Sequence, residues 1–449
     1  MTTDDVIVSV SGVRGVVGRG LTPDVACRFA AALGTYANGG PVVLSRDSRP
    51  SGEMLASAAA AGLLNAGCRV IDCGIAPTPT CGVAVRNFAA AGGLQITASH
   101  NPAPWNGLKL FGPDGAVLPA AEGEKVRALY ESGRFRAAMW DQVGTRQVNA
   151  TPFRPHRDTV LYLLDAERLR GRAFDVLLDA NGGAGGDAGL DLLRSLGCAV
   201  TAVGCDMDGQ FAHEPEPVPA HLGDVARAVK EADVAAGFVL DPDADRLALI
   251  DEAGACLSEE LTLALAVQYR LGQDRGPVVV NMSTSRVVQD VCDRFGVPFH
   301  RSAVGEANVV ARMREVGALI GGEGNGGVID PRVGWVRDPF VGMGLILSLM
   351  AETGESLSQL AAALPGYTIV KDKYELPRER LPAAYAALRA RWPDAAANDV
   401  DGLRLDWSDR WLHVRGSNTE PVVRVIAEAP TAAAARELCD QAGKEVKKN

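Results

Sequence analysis

Two short segments carry residues whose types and order suit one kind of chemistry. Ser99 lies in Ile96-Thr97-Ala98-Ser99-His100-Asn101-Pro102, and the chain later reads Leu240-Asp241-Pro242-Asp243-Ala244-Asp245-Arg246. A hydroxyl in a tight turn, with three alternating carboxylates beside an arginine, suits a phosphorylated serine held on a divalent cation. That is the equipment of phosphoryl transfer. In an extended segment the alternation puts Asp241, Asp243 and Asp245 on one side. Hard oxygen ligands of this kind suit Mg2+, which takes carboxylates together with phosphate oxygens. A calcium loop of the EF-hand type is the rival, since Glu252 falls at the twelfth position from Asp241. It fails because Arg246 stands where that loop needs glycine, and Leu247-Ala248-Leu249-Ile250 reads as a strand.

Other groups gather around these two segments. His100, next to Ser99, and Lys109, ten residues further on, are candidates for proton transfer or charge stabilisation. His100 equally fits a turn residue that holds the loop, and Lys109 the polar face of a strand between Leu108 and Leu110. Arg246 is placed to bind the same phosphate as the cation. Near the C-terminus, Arg415-Gly416-Ser417-Asn418-Thr419-Glu420-Pro421 offers a guanidinium, two hydroxyls, an amide and backbone N–H groups, which suits a substrate phosphate, with Arg424 assisting. A turn between two strands accounts for the same stretch by itself. Ser11-Gly12-Val13-Arg14-Gly15 reads as a surface turn, and Arg46-Asp47-Ser48-Arg49 as a loop salt bridge.

The elements that position these loops recur. Residues 41–47, 174–181 and 277–283 are apolar runs ending in polar residues, each followed by a helical stretch that closes at Gly67, Gly197 or Gly296. A second short strand follows each glycine. Strand, helix and strand in that order is a βαβ unit, and it occurs three times. The first unit continues to Ser99, the next to Asp241, the last to Gly321-Gly322-Glu323-Gly324-Asn325-Gly326-Gly327. Ligands of open α/β sheets bind beyond strand carboxyl ends, so three similar domains can offer one loop each to a shared cleft. After about residue 365 the texture changes to a hairpin around Ser408-Asp409-Arg410, a strand at Val422–Ile426 and a helix from Ala432 to Lys447, a smaller α+β domain.

Bulk properties narrow the class. A chain of 449 residues exceeds one ordinary core, and length alone suggests about three domains. With 45 basic against 55 acidic residues the formal charge is −10, which argues against nucleic acid as the main partner. An acidic start is not that of a signal peptide, and the apolar run from Gly342 to Met350 is too short for a membrane span. Nine cysteines at irregular spacings, with no Cys-x-x-Cys pair, point to a reducing cytoplasm.

Together the segments resemble those of the α-D-phosphohexomutase family: phosphoglucomutases, phosphomannomutases and phosphoglucosamine mutases. Residues 97–102 look like its phosphoserine loop, 241–246 like its Mg2+ loop, Gly322-Glu323 like the start of its sugar-recognition loop, and 415–421 like its phosphate-binding loop. Residues 11–15 and 46–50 match segments early in its first domain. The resemblance implies an α/β fold of four domains around a central cleft, three of them repeated α/β domains with mixed sheets, plus a smaller C-terminal α+β domain. The expected divisions are 1–150, 151–252, 253–365 and 366–449.

It also implies an isomerase that interconverts hexose 6-phosphate and hexose 1-phosphate through phosphorylated Ser99 and a hexose 1,6-bisphosphate. Ser99, His100, Lys109, Arg246 and Arg14 are then catalytic, and Ser99, Asp241, Asp243 and Asp245 hold Mg2+. Glu323, Asn325, Arg415, Ser417, Asn418, Thr419 and Arg424 bind substrate. The protein would be a cytoplasmic monomer or homodimer. One departure matters: many members read Gly-Glu-x-Ser-Gly-His in the sugar loop, where this chain has Asn325 and Gly327. Similar Glu-x-Asn-Gly-Gly loops in archaeal-like members lean the expected sugar toward glucosamine phosphate, with mannose or glucose phosphate as the alternative. A metal-dependent sugar phosphatase and a non-catalytic sugar-phosphate-binding module are the rival classes.

Overall fold

The three βαβ units close into sheets of the same wiring in a computed structural model that describes residues 6–9, 12–416 and 422–448. Val42–Arg46 pairs in parallel with Val70–Ile75 and Gly92–Ile96, and Trp105–Phe111 adds antiparallel to Gly92–Ile96. Asp175–Asp179 pairs in the same way with Ala199–Val203 and Ala236–Leu240, and Leu247–Asp251 adds antiparallel. Val278–Asn281 pairs with Phe299–Ser302 and Ile320–Glu323, and Gly327–Ile329 closes the third sheet. The first sheet is extended to seven strands by Val6–Ser9, Gly12–Val16 and Arg146–Val148. In each sheet the loop between the last parallel strand and its antiparallel neighbour is topologically equivalent. Those loops carry Ser99, the acidic triplet and residues 324–326.

Local sequence explains these elements. The central parallel strands Val42–Arg46, Asp175–Asp179 and Val278–Asn281 are rich in Val and Leu that are buried on both faces. Gly67, Gly197 and Gly296 all adopt left-handed backbone, at φ 84°, 85° and 64°, and end the helices where a residue with a Cβ would be strained. The fourth domain is an antiparallel five-stranded sheet of Thr368–Glu375, Val422–Ala429, Trp411–Gly416, Leu403–Asp406 and Ala396–Asn398, backed by helices Leu381–Arg391 and Ala432–Lys448. Its hairpin pairs Asp406 with Trp411, as the sequence predicts.

Packing fixes the loops relative to one another. A single apolar core runs through the second and third sheets, with Leu178, Phe238, Leu263, Val280 and Phe340 fully buried in it. Each such side chain contributes about 1.5–3 kcal/mol. The apolar run Gly342 to Met350 lies in helix Pro339–Thr353, buried inside that shared core. No helix among the described residues is long and apolar enough to cross a membrane. Buried His156, on helix Phe153–Leu163, ties the first three domains together: its Nδ1 meets Thr80 Oγ1 at 3.0 Å and its Nε2 meets Asp338 Oδ2 at 2.7 Å. All nine cysteines are free thiols, with Cys68, Cys73 and Cys81 buried.

Candidate active site

After strand Gly92–Ile96 the chain turns so sharply that Ser99 sits at φ 51°. A residue with a Cβ pays about 1–2 kcal/mol to stay there. Arg49 is what holds it. The guanidinium is fully buried and donates from Nη2 to the carbonyls of Ser99 and Asn101, both at 2.6 Å, and from Nη1 to Pro102 and Trp105 at 2.9 and 3.0 Å. Asp47 anchors the Arg49 Nε at 3.1 Å and accepts the Thr97 hydroxyl at 2.6 Å, while Thr97 Oγ1 accepts the Ser99 N–H. Burial pushes the Asp47 carboxyl up to about 6, against the pull of Arg49 and Thr97. Residues 46–49, expected as a loop salt bridge, do form one between Asp47 and Arg49, and it is fully buried as the brace of the serine loop.

The acidic triplet corrects another expectation. Its residues do not lie along an extended segment; the chain folds through a turn with Ala244 at φ 51°. Convergence comes from that turn, and carboxylate oxygens of Asp241, Asp243 and Asp245 lie within 4.8 Å of one another. Each carboxylate keeps one oxygen occupied. Asp241 Oδ1 accepts the N–H groups of Asp245 and Arg246 at 3.0 and 3.1 Å. Asp243 Oδ2 accepts Thr78 Oγ1 at 2.6 Å and Lys109 Nζ at 3.4 Å. Asp245 Oδ2 accepts Lys109 Nζ at 3.0 Å and Arg337 Nη2 at 2.5 Å.

The other oxygens are left for a ligand. Asp243 Oδ1 and Asp245 Oδ1 are buried with no donor among the described residues, and Asp241 Oδ2 lies 3.3 Å from Ser99 Oγ. Buried, unpaired carboxylate oxygens are costly unless a cation meets them. Three hard oxygens beside a serine hydroxyl fit Mg2+, which keeps further positions for phosphate and water.

Electrostatics separates the roles of the surrounding groups. Burial raises the Asp241 pKa well above the usual range, and Asp245 and Asp243 add to the rise. Burial acts on Asp245 in the same sense, but Arg337, Lys109 and Arg246 outweigh it and hold that carboxyl low. Burial alone would weaken the Lys109 ammonium; Asp245 and Asp243 reverse this and raise its pKa. His100 Nδ1 is 3.3 Å from Ser99 Oγ, and burial, then Arg246 and Arg14, push its pKa down to about 3. Lys109 is therefore a buried cation and His100 a neutral ring at ordinary pH.

Arg14, Arg246 and Glu323 connect to this centre, whereas Arg415 and Arg424 are seen only within the fourth-domain sheet. Arg14 lies on strand Gly12–Val16 rather than in a surface turn, and its Nη1 reaches Asn101 Oδ1 at 3.5 Å. Arg246 Nε lies 4.0 Å from Asp241 and 3.9 Å from Asp245, and its Nη1 is 3.4 Å from Glu216. Glu323 ends strand Ile320–Glu323 with both oxygens engaged: Oε1 by Asn281 Nδ2 at 2.8 Å and Gly305 N at 3.2 Å, Oε2 by Arg337 Nη1 at 2.7 Å. Asn325 Oδ1 is buried without a donor among the described residues. In the fourth domain, Arg415 pairs with Asp401 at 3.1 Å, and Arg424 is exposed opposite it in register. Ser11, Ser417, Asn418 and Thr419 lie outside the described residues.

Sequence reading missed Arg49, Thr78 and Arg337. The Asp47–Arg49 pair was visible but its burial was not. Arg337-Asp338, two charges directly before a largely apolar helix, is a signal that something polar is buried there. Thr78 gave no signal.

Comparison with known proteins agrees with this geometry. The family models "Phosphoglucomutase/phosphomannomutase, alpha/beta/alpha domain" I, II and III match residues 6–137, 155–254 and 259–367, and the C-terminal domain of the same family matches 370–444. The chain is 35% identical over 436 residues to a "Probable phosphoglucosamine mutase" of Methanopyrus kandleri, covering 96% of this chain and 95% of that one. It is 36% identical over 437 residues to a "Phosphoglucomutase/phosphomannomutase" of Thermococcus kodakarensis, covering 96% of each. A phosphoglucomutase/phosphomannomutase family protein of Burkholderia thailandensis superposes with a TM-score of 0.84 at 27% identity, over 98% of this chain and 97% of that one. Four domain matches in order, on a fold whose equivalent loops converge on one acidic centre, make the chain a member of the phosphoglucomutase/phosphomannomutase family and a mutase of the isomerase class.

Proposed function

We propose that this protein interconverts hexose 6-phosphate and hexose 1-phosphate, with Ser99 as the phosphoryl carrier and glucosamine phosphate as the preferred substrate. The observation that carries the reading is the 3.3 Å approach of Ser99 Oγ to Asp241 Oδ2, across 142 residues of sequence. Mg2+ held by Asp241, Asp243 and Asp245 would draw charge from the phosphoryl oxygens as the bond to Ser99 loosens. In the forward half-reaction the sugar 1-hydroxyl attacks the phosphoryl group on Ser99, a P–O bond to the sugar forms, and the bond to Oγ breaks. The proton released by the sugar hydroxyl is matched by the one that the leaving Oγ takes up, so the half-reaction is balanced overall.

Residues of this chain divide that work. His100 Nδ1, neutral and 3.3 Å from Oγ, is placed to exchange the Oγ proton. Lys109, kept charged by Asp243 and Asp245, stabilises developing negative charge. Arg246 and Arg14 add positive charge around the same phosphoryl group. Glu323 and Asn325 receive sugar hydroxyls, and Arg415 with Ser417, Asn418, Thr419 and Arg424 holds the phosphate that is not reacting. The bisphosphate intermediate then turns over, and its other phosphate returns to Ser99. One clamp can serve both ends of a near-symmetric bisphosphate.

The preference for glucosamine phosphate rests on the Glu-x-Asn-Gly-Gly loop and on relatives that carry the phosphoglucosamine mutase name. A Mg2+-dependent coupled assay across glucosamine, mannose and glucose phosphates tests it, with the highest kcat/KM expected for glucosamine phosphate. Ser99→Ala should abolish isomerisation in all three. Release of free phosphate in place of isomerisation would make the protein a phosphatase.

A further inference from the structure

Arg337 is buried where two loops meet. Its Nη2 donates to Asp245 Oδ2 at 2.5 Å, in the acidic loop of the second domain, and its Nη1 donates to Glu323 Oε2 at 2.7 Å, in the sugar loop of the third. Its backbone N–H donates to Glu306 Oε1 at 2.6 Å, which fixes where the side chain starts. A planar guanidinium spans two carboxylates in a fixed fork, as a lysine ammonium cannot. Along its route the Arg337 stem passes over Gly327. A Cβ placed on Gly327 would stand 2.3 Å from Arg337 Cδ, 2.8 Å from its Cγ and 3.0 Å from Asn325 Oδ1. Gly327 has no left-handed backbone to explain it, so the space explains it.

We infer that Arg337 is the positioning residue that sets Glu323 against the metal loop, and that Gly327 is glycine so that the Arg337 stem can pass. The inference rests on the mutase reading only in assigning Glu323 and Asn325 to the sugar. It accounts for the loop's ending in Gly-Gly: a side chain at 327 and an arginine fork between Asp245 and Glu323 exclude each other. Arg337 itself remains charged, because Asp245, Glu306 and Glu323 outweigh its burial. It orients a carboxylate and transfers no proton.

The test is a double-mutant cycle on Arg337→Ala and Gly327→Ala, made in a Ser99→Ala background so that binding is read without turnover. Glucosamine 6-phosphate and, separately, inorganic phosphate are titrated by calorimetry with Mg2+ present, and melting is recorded for every variant. Gly327→Ala should weaken sugar-phosphate binding about fivefold or more while Arg337 is present, and change it less than about twofold once Arg337 is alanine. Inorganic phosphate binding should move less than about twofold on Gly327→Ala, and Arg337 variants, which also disturb Asp245, should lose more sugar-phosphate than phosphate affinity. Arg337→Lys keeps the charge without the fork, replaces Arg337→Ala if that variant fails to fold, and should lose about tenfold in sugar-phosphate affinity.

Additive losses in the cycle, or equal losses for inorganic phosphate and sugar phosphate, would overturn the inference. So would Arg337→Lys binding like its parent. If the parent bound no hexose phosphate at all, the mutase reading would fail. The Gly327–Arg337 coupling would then be decided by melting alone, where Gly327→Ala must destabilise only the protein that keeps Arg337.

Discussion

The serine loop and the acidic loop occupy equivalent places after a parallel strand, and both force a residue with a Cβ into left-handed backbone, Ser99 and Ala244 at φ 51°. They are held in opposite ways. The backbone of the serine loop is gripped from its own domain, by Arg49 on four carbonyls, Asp47 on Arg49 and Thr97 on Asp47. The second domain adds Phe211 against the Arg49 guanidinium and Asp241 at Ser99 Oγ. The acidic loop is gripped from outside, by Thr78 and Lys109 of the first domain and Arg337 of the third. The carrier is thus set largely within one folding unit, while two of the three acidic carboxylates, Asp243 and Asp245, are held by groups from other domains. Cation binding becomes a report on domain assembly.

The contrast breaks most severely at Asp245, where two foreign cations converge. Asp245→Asn leaves Lys109 and Arg337 short of a buried anion, and losing one member of a buried charge group costs about 3–5 kcal/mol. Turnover should fall about 10³-fold or more, since the cation loses a ligand and the transition state its balance of charge. Chemical denaturation and the coupled assay measure the two effects. Loss of activity at unchanged stability would mean that the cations find other partners and that the domains are not locked through this carboxylate.

Arg49→Met attacks the other loop. The variant removes four donors to carbonyls and leaves Asp47 buried without its ion pair, a loss of about 3 kcal/mol. Because the nucleophile is misplaced and the substrate clamps are untouched, kcat should fall about a hundredfold with little change in KM. Mg2+ affinity should stay within about twofold of the parent. A matching loss of metal affinity would show that the two loops are not independent. Thr78→Val is milder. It deletes one hydrogen bond to Asp243, worth about 1–2 kcal/mol, and should weaken Mg2+ several-fold while leaving the extent of Ser99 phosphorylation by mass spectrometry unchanged.

How much of this could be read in the sequence follows the same division. Chemistry-bearing residues that sit on a loop after an apolar run, such as Ser99, Asp241, Asp243 and Asp245, announce themselves by type and spacing. So do the repeated strand–helix–strand units, because periodicity and terminal glycines are local signals. The groups that position those residues are not local. Arg49 reaches 50 residues forward to Ser99, Thr78 acts 165 residues away on Asp243, and Arg337 acts 92 residues back on Asp245. No spacing rule reports such partners. The acidic triplet shows the same limit at short range: alternation suggested an extended segment, and the true turn depends on Asp241 Oδ1 capping the N–H groups of Asp245 and Arg246.

The smallest effect concerns protons. Burial, reinforced by Asp245 and Asp243, raises the Asp241 pKa, so without a cation this carboxyl holds its proton to higher pH than an ordinary aspartate. A divalent ion needs the carboxylate, and its binding must expel that proton. The sign follows: apparent Mg2+ affinity is greatest above the raised pKa and falls as pH drops below it, by up to about tenfold per unit. Calorimetric titration with Mg2+ at pH 6, 7 and 8, in buffers of different ionisation heat, measures both the slope and the proton released. Asp241→Asn should bind weakly with no release. A parent affinity that is flat over this range would mean that Arg246 and Arg337 overcome burial and keep Asp241 ionised. The acidic loop would then be set by cations from its neighbours before any metal arrives, and the metal would only occupy a geometry that three domains had already made.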